Sequence, residues 1–78
     1  MNHPLDCRGL LCPMPIVRIS RTMKGLRPGD TLTVTATDPS FAPDVEAWAR
    51  KMNHTLVFLE DRAGVQTAVL LHSSPARG

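Results

Sequence analysis

Between residues 31 and 37 the chain alternates without a break, Thr-Leu-Thr-Val-Thr-Ala-Thr. Side chains of a strand point to opposite faces in turn, so this run has one apolar face, Leu32, Val34 and Ala36, and one threonine face. Segments of helical period flank it. Before it, Ile16, Ile19, Ser20 and Met23 share one face at about 100° per residue, with Arg18, Arg21 and Lys24 gathered opposite. After it, Phe41, Val45, Trp48, Ala49 and Met52 follow the i, i+4, i+7, i+8, i+11 spacing of a second amphipathic helix. Two such helices each need an apolar surface, and a single sheet supplies it to both.

The remaining segments complete that sheet. His3–Arg8 is read as a short strand with Leu5 and Cys7 on one side. Pro13 and Pro15 fit only the first turn of the first helix, where their missing N–H groups would have no helical partner. Gly25 is placed as its C′ stop, and Pro28-Gly29-Asp30 is turn chemistry. Asp38-Pro39-Ser40 breaks the alternating strand. Asp44 and Glu46 near the start of the second helix, and Arg50 and Lys51 near its end, suit the helix dipole, with Asn53 as a left-handed stop. Thr55–Glu60 and Val65–His72 are strand-like runs joined by a hairpin loop, Asp61-Arg62-Ala63-Gly64. The order βαβαββ predicts a two-layer α/β sandwich, a four-stranded mixed sheet with both helices on one face and threonines Thr33, Thr35 and Thr37 on the other. At 78 residues there is room for one small domain, assigned to residues 1–72, with 73–78 as a loose polar tail.

Composition removes several function classes. No stretch approaches the roughly 18 apolar residues of a membrane span, and residues 1–20 lack the apolar centre of a secretory signal. A cytoplasmic location is expected. Two cysteines are too few for a disulfide scaffold. Net charge is +2, but residues 1–27 hold five basic side chains against Asp6, a local balance of +4, leaving −2 for the rest. The basic character thus sits beside both cysteines. Aromatic residues make up 4% of the chain, which leaves no stacking platform for single-stranded RNA.

The chemistry is concentrated in Leu5-Asp6-Cys7-Arg8-Gly9-Leu10-Leu11-Cys12-Pro13-Met14-Pro15. This stretch delivers a cysteine from a strand, round a glycine-permitted turn, to the mouth of a helix. Unpaired N–H groups and the positive end of the macrodipole there favour a thiolate, the nucleophilic form, with Arg8 as a further positive charge. Pro13 and Pro15 would hold the sulfur on a rigid support. The competing reading makes Cys12 a small, inert, buried apolar residue.

The pattern Leu5-Asp6-x-x-Gly9-Leu10-x-Cys12-Pro13-x-Pro15 resembles the N-terminal signature of the TusA/SirA family of small sulfur-carrier proteins. The likeness continues through Pro28-Gly29-Asp30, Asp38-Pro39 and the Trp48…Asn53-His54 segment, and so spans residues 5–72. It implies a βαβαββ two-layer sandwich. It further implies that Cys12 accepts sulfur as a persulfide and passes it to a partner, in transfer-RNA thiolation, molybdenum-cofactor assembly or sulfur oxidation. Asp6, Gly9, Pro13 and Pro15 would then be motif supports. The partners implied are a sulfur donor, a cysteine desulfurase or a rhodanese-like enzyme, and a sulfur acceptor protein, with no direct nucleic-acid or membrane contact. No metal and no organic cofactor is expected.

Other residues carry competing roles. Cys7 is either core at the end of the first strand or a resolving thiol for Cys12, and the spacing Cys-x4-Cys is not the Cys-x2-Cys redox motif. His3, His54 and His72 are too dispersed to build a zinc site with the cysteines. Arg8, Arg18, Arg21 and Lys24 are candidates for steering an acidic partner, against the plainer reading of a solvated helix face. Asp6 would support the turn or influence the thiol. Trp48 and Phe41 are expected in the core. Two alternatives to the carrier stand: an RNA- or protein-binding regulatory module in which Cys12 transfers nothing, and a Cys7/Cys12 thiol–disulfide switch.

Overall fold

The alternating run forms the second strand of a four-stranded sheet in the computed structural model, which describes residues 1–73. The elements are β1 (Asn2–Cys7), α1 (Met14–Lys24), β2 (Thr31–Ala36), α2 (Phe41–Lys51), β3 (Thr55–Arg62) and β4 (Val65–Leu71). Spatial order is β1-β2-β4-β3. β1 and β2 run parallel, while β4 is antiparallel to both its neighbours. A parallel pair needs a long crossover, and α1 provides it. The fold is the expected two-layer α/β sandwich with a mixed sheet.

Register explains the burial. Cys7 lies opposite Ala36, Leu5 opposite Val34, Val34 opposite Ala68 and Leu32 opposite Leu70, so one face of the sheet is apolar apart from the buried Gln66 opposite Ala36. Ile19 and Met23 of α1 and Phe41, Val45 and Ala49 of α2 close over it. On the other face the hydroxyls of Thr31 and Thr33 both donate to Asn2 Oδ1 at 2.9 Å. That bonding lets the face remain polar and half-buried rather than apolar.

Several expectations need correction. Pro13 and Pro15 do stand at the start of α1 as expected, and Pro15 is also fully buried, so it anchors that start in the core. Ile16 and Trp48 are half-buried at the edge of the core. Met52, expected on the apolar stripe of α2, is 46% exposed because the helix has ended at Lys51 and the helical spacing no longer applies. Gly25 ends α1 with φ −91° in the right-handed region, so its left-handed freedom is unused. Asn53, at φ 61°, does take the left-handed position after α2. The hairpin loop is only Ala63-Gly64, with φ 53° and 86°, the paired positive angles of a type I′ turn. Asp61 and Arg62 belong to β3. Ser73, expected to open a loose tail, is tied back by its N–H to His54 Nδ1 at 3.2 Å. The rest of that tail, 74–78, lies outside the described residues.

Candidate functional site

Two parallel strands side by side end at the same edge of the sheet, and each feeds a helix. The connections after β1 and after β2 therefore meet, and the first turns of α1 and α2 open towards the same edge. Cys12 lies in the first of these connections. The chain leaves β1 at Cys7, turns at Gly9 with φ 82°, and closes the turn with the Leu10 N–H on the Cys7 carbonyl at 3.2 Å. Pro13 is the N-cap of α1, and its carbonyl accepts the Val17 N–H at 3.0 Å.

The second connection holds the first in place. Gly9 N–H donates to Thr37 Oγ1 at 2.9 Å, and Cys12 N–H donates to Asp38 Oδ2 at 2.6 Å. Asp38 is itself buried. Its carboxylate also takes the N–H and hydroxyl of Ser40, both at 3.2 Å, and its backbone carbonyl accepts from Gln66 Nε2 at 2.6 Å. The donors to its carboxylate, the Ser40 N–H foremost, stabilise its charged form and lower its pKa below the ordinary carboxylate value.

The sulfur of Cys12 is exposed, and its S–H donates to Asp44 Oδ2 in the first turn of α2 at 3.1 Å. That contact, with burial and the charge of Asp44 behind it, raises the thiol pKa above its ordinary value, and Asp38 adds to the effect. The expectation of a thiolate favoured by the helix start and by Arg8 is corrected here. A helix end carries roughly half a charge, whereas Asp44 places a full negative charge against the sulfur. Arg8 is engaged elsewhere: Nε and Nη2 grip the Asp6 carboxylate at 2.9 Å each. That fork, led by the Arg8 side chain, holds Asp6 down at a pKa of about 2. Asp6 thereby supports the turn, accepting the Arg8 N–H as well at 3.1 Å, and does not touch the thiol.

The structure thus brings Cys12, Gly9 and Pro13 together at the sheet edge, with Pro15 beneath them in the core. Arg18, Arg21 and Lys24 are exposed along α1. Cys7 is fully buried on the helix-covered side of β1, where burial raises its thiol pKa. Asp38, Ser40, Asp44, Gln66 and Thr37 escaped the sequence reading as site residues. The signal for them was the parallel order of β1 and β2, which makes the Asp38-Pro39 break and the acidic first turn of α2 neighbours of the cysteine loop. Leu11, 72% exposed, and Met14, 43% exposed, add apolar surface on either side of Cys12 and were likewise not singled out. Cys12 does not line the better-formed clefts of the described residues. A shallow one of about 300 Å³ lies at the far ends of the helices, between Met23, Lys24, Trp48, Met52, His54 and His72.

Comparison with known proteins covers nearly the whole chain. The family described as Sulfurtransferase TusA matches residues 3–71. A candidate sulfur carrier protein of Neisseria meningitidis is 41% identical over 71 residues, 91% of this chain and 96% of that protein. One from Aquifex aeolicus is 38% identical over 75 residues, 96% of this chain but 38% of that longer protein. In structure, a SirA-like protein from Desulfitobacterium hafniense is similar at a TM-score of 0.80, covering 95% of this chain and all of that one. Sequence identity to it is 23%, so that likeness speaks for the fold alone.

Proposed function

The chain belongs to the sulfurtransferase TusA family, and from that premise we propose that it carries sulfur as a persulfide on Cys12 and relays it between proteins. The observation that carries this reading is the division of labour between its two thiols. Cys7 is sealed in the core, while Cys12 stands exposed at the sheet edge on a backbone held by Asp38 and Thr37.

In the loading step the Cys12 thiolate attacks the outer sulfur of a donor cysteine persulfide. A new S–S bond forms on Cys12, and the donor's S–S bond breaks with its electron pair on the donor cysteine. The proton given up by Cys12 is matched by one taken up by that leaving thiolate, so the exchange has no net redox change. Handing the sulfur on is the same step in reverse, towards an acceptor thiol. The best-formed cleft, lined by Met23, Trp48 and His54, lies away from Cys12, and we assign the rest of the transition-state environment to the docked partner. Leu11 and Met14 offer that partner an apolar contact beside the sulfur, and Arg18, Arg21 and Lys24 offer charge along α1. A cytoplasmic setting, where thiols stay reduced, suits the chemistry.

Intact mass spectrometry after incubation with a cysteine desulfurase and cysteine, or a rhodanese and thiosulfate, tests the reading. Wild type and Cys7→Ser should each gain the mass of one sulfur atom, removable by reductant, and Cys12→Ser should gain none. Absence of loading from both donors, or loading that survives in Cys12→Ser, defeats it.

A further inference from the structure

We propose that Asp44 is a charge gate on the carrier thiol: it keeps Cys12 protonated in the free protein and releases it when a docked partner brings a cationic side chain to the Asp44 carboxylate. The partner half of this inference rests on the carrier reading above, whereas the thiol half does not. The geometry behind it is the 3.1 Å contact from Cys12 Sγ to Asp44 Oδ2, made across 32 residues of chain by a side chain of a different element. A carboxylate can accept this hydrogen bond only while the sulfur keeps its proton. Once the sulfur ionises, the contact becomes a repulsion between two anions.

The side chains facing the sulfur act in the same direction except one, against the half-charge of the α1 start. From α2 comes Asp44, and from the β2–α2 connection come Asp38 and the Ser40 hydroxyl, of which only Ser40 favours the thiolate. Arg8, the cation of the cysteine loop itself, is spent on Asp6. Ion pairs among the described residues involve Asp6, Asp30 and Glu60, and leave Asp44 without a cation. Its charge is therefore available to a partner. A Lys or Arg paired with Asp44 would withdraw the acceptor from the S–H and remove the repulsion, so the thiol ionises where the donor persulfide is at hand. An exposed carrier cysteine gains from this arrangement, because the thiolate is also the form that oxidants and alkylators consume. The same carboxylate repels an anionic persulfide and so favours handing it on.

Asp44 acts through Cys12 and is a positioning residue, so its test reads the pH profile of the thiol. Iodoacetamide alkylation of Cys12 is followed from pH 6 to 11 in wild type, Asp44→Asn, Asp44→Glu and Glu46→Gln. Glu46 is exposed on the same helix and controls for the loss of any α2 charge. The midpoint should fall by about one pH unit in Asp44→Asn, with alkylation near neutral pH rising about tenfold, since a unit of pKa is a factor of ten in thiolate below the midpoint. Asp44→Glu should stay close to wild type, and Glu46→Gln should not move. An unchanged midpoint in Asp44→Asn, or an equal shift in Glu46→Gln, overturns the gate. Sulfur loading by a cysteine desulfurase tests release by the partner: the tenfold gain in alkylation should not be matched in loading, because docking has already freed the wild-type thiol. A matching gain in loading removes the partner step and leaves a plain electrostatic brake. If no variant loads sulfur, the carrier reading and the partner step fall together, while the titration still decides the thiol contact.

Discussion

At Gly9 the backbone turns with φ 82°, a region that an L side chain enters only with strain, although a Cβ there would meet nothing within 4 Å. The constraint is therefore conformational rather than steric, and it sits three residues before the exposed thiol. Gly9→Ala is expected to destabilise the protein by about 1 kcal/mol, read from urea denaturation, while Cys12 loses the protection that the Thr37 and Asp38 bonds give its loop. A loss of stability with an unaltered alkylation profile would mean that the turn and the site are uncoupled. Residue by residue, part of the candidate site was legible. Cys12 announced itself by its place before Pro13 and Pro15, and Gly9 by the turn the chain needs there. Asp38 and Asp44 did not, because they stand 26 and 32 residues away and nothing local ties them to a cysteine. The direction in which the fold moves the Cys12 pKa runs against the local reading for the same reason: the local sequence contains the helix end and Arg8, and the opposing carboxylates arrive from elsewhere.

Element boundaries follow from the periodicities, and their ends follow from cap chemistry less faithfully. Helix α1 was expected to stop on a left-handed glycine, but Gly25 is right-handed, and a Cβ built there would meet the Thr22 carbonyl oxygen at 3.6 Å, an ordinary contact. Gly25→Ala should accordingly stabilise the protein by roughly 0.4–1 kcal/mol, chiefly by narrowing the unfolded ensemble. Urea denaturation compared with wild type checks this, and destabilisation would show that the end of α1 needs the glycine after all. The hairpin taught a similar lesson. Four residues of turn character were visible between β3 and β4, but pairing of Arg62 with Val65 extends the ladder until only two remain in the loop. Turn propensity marks where a chain can reverse, and cross-strand bonding decides how tightly it does so.

Across the whole molecule the site edge and the far edge differ in chemistry. At the far edge the rings of Trp48, His54 and His72 pack together, with centroids 5.5 Å and 4.8 Å apart. Burial, with the nearby His72 adding to it, lowers the His54 pKa below its ordinary 6.5, so the fold prefers the neutral ring. The unfolded chain then binds the proton more readily, and the contribution is present above about pH 6.5 and lost as pH falls through the depressed folded value. Stability should decline between pH 7 and pH 5 in thermal or urea denaturation, and His54→Asn should flatten that decline. The lowered carboxylates Asp6, Asp30 and Asp38 contribute in full above their ordinary value of 3.8 and lose that contribution only as pH falls below it, so their window lies on the acid side of the His54 one. A wild-type curve that is level across pH 7 to 5 would contradict the assignment.

From its sequence alone this protein had its elements, their order, the apolar face of its sheet and Cys12 as a candidate site cysteine, because periodicity, proline and glycine act over a few residues. The stretch on which the family resemblance was read, Leu5 to Pro15, is short and so could be read in line. What only the tertiary structure decided was the company Cys12 keeps. Parallel pairing of β1 and β2 carries two distant carboxylates to one cysteine, Asp38 accepting its backbone N–H and Asp44 its S–H. Charge acts through space at contact distance, and the chain's linear order does not show which charges the fold will bring there.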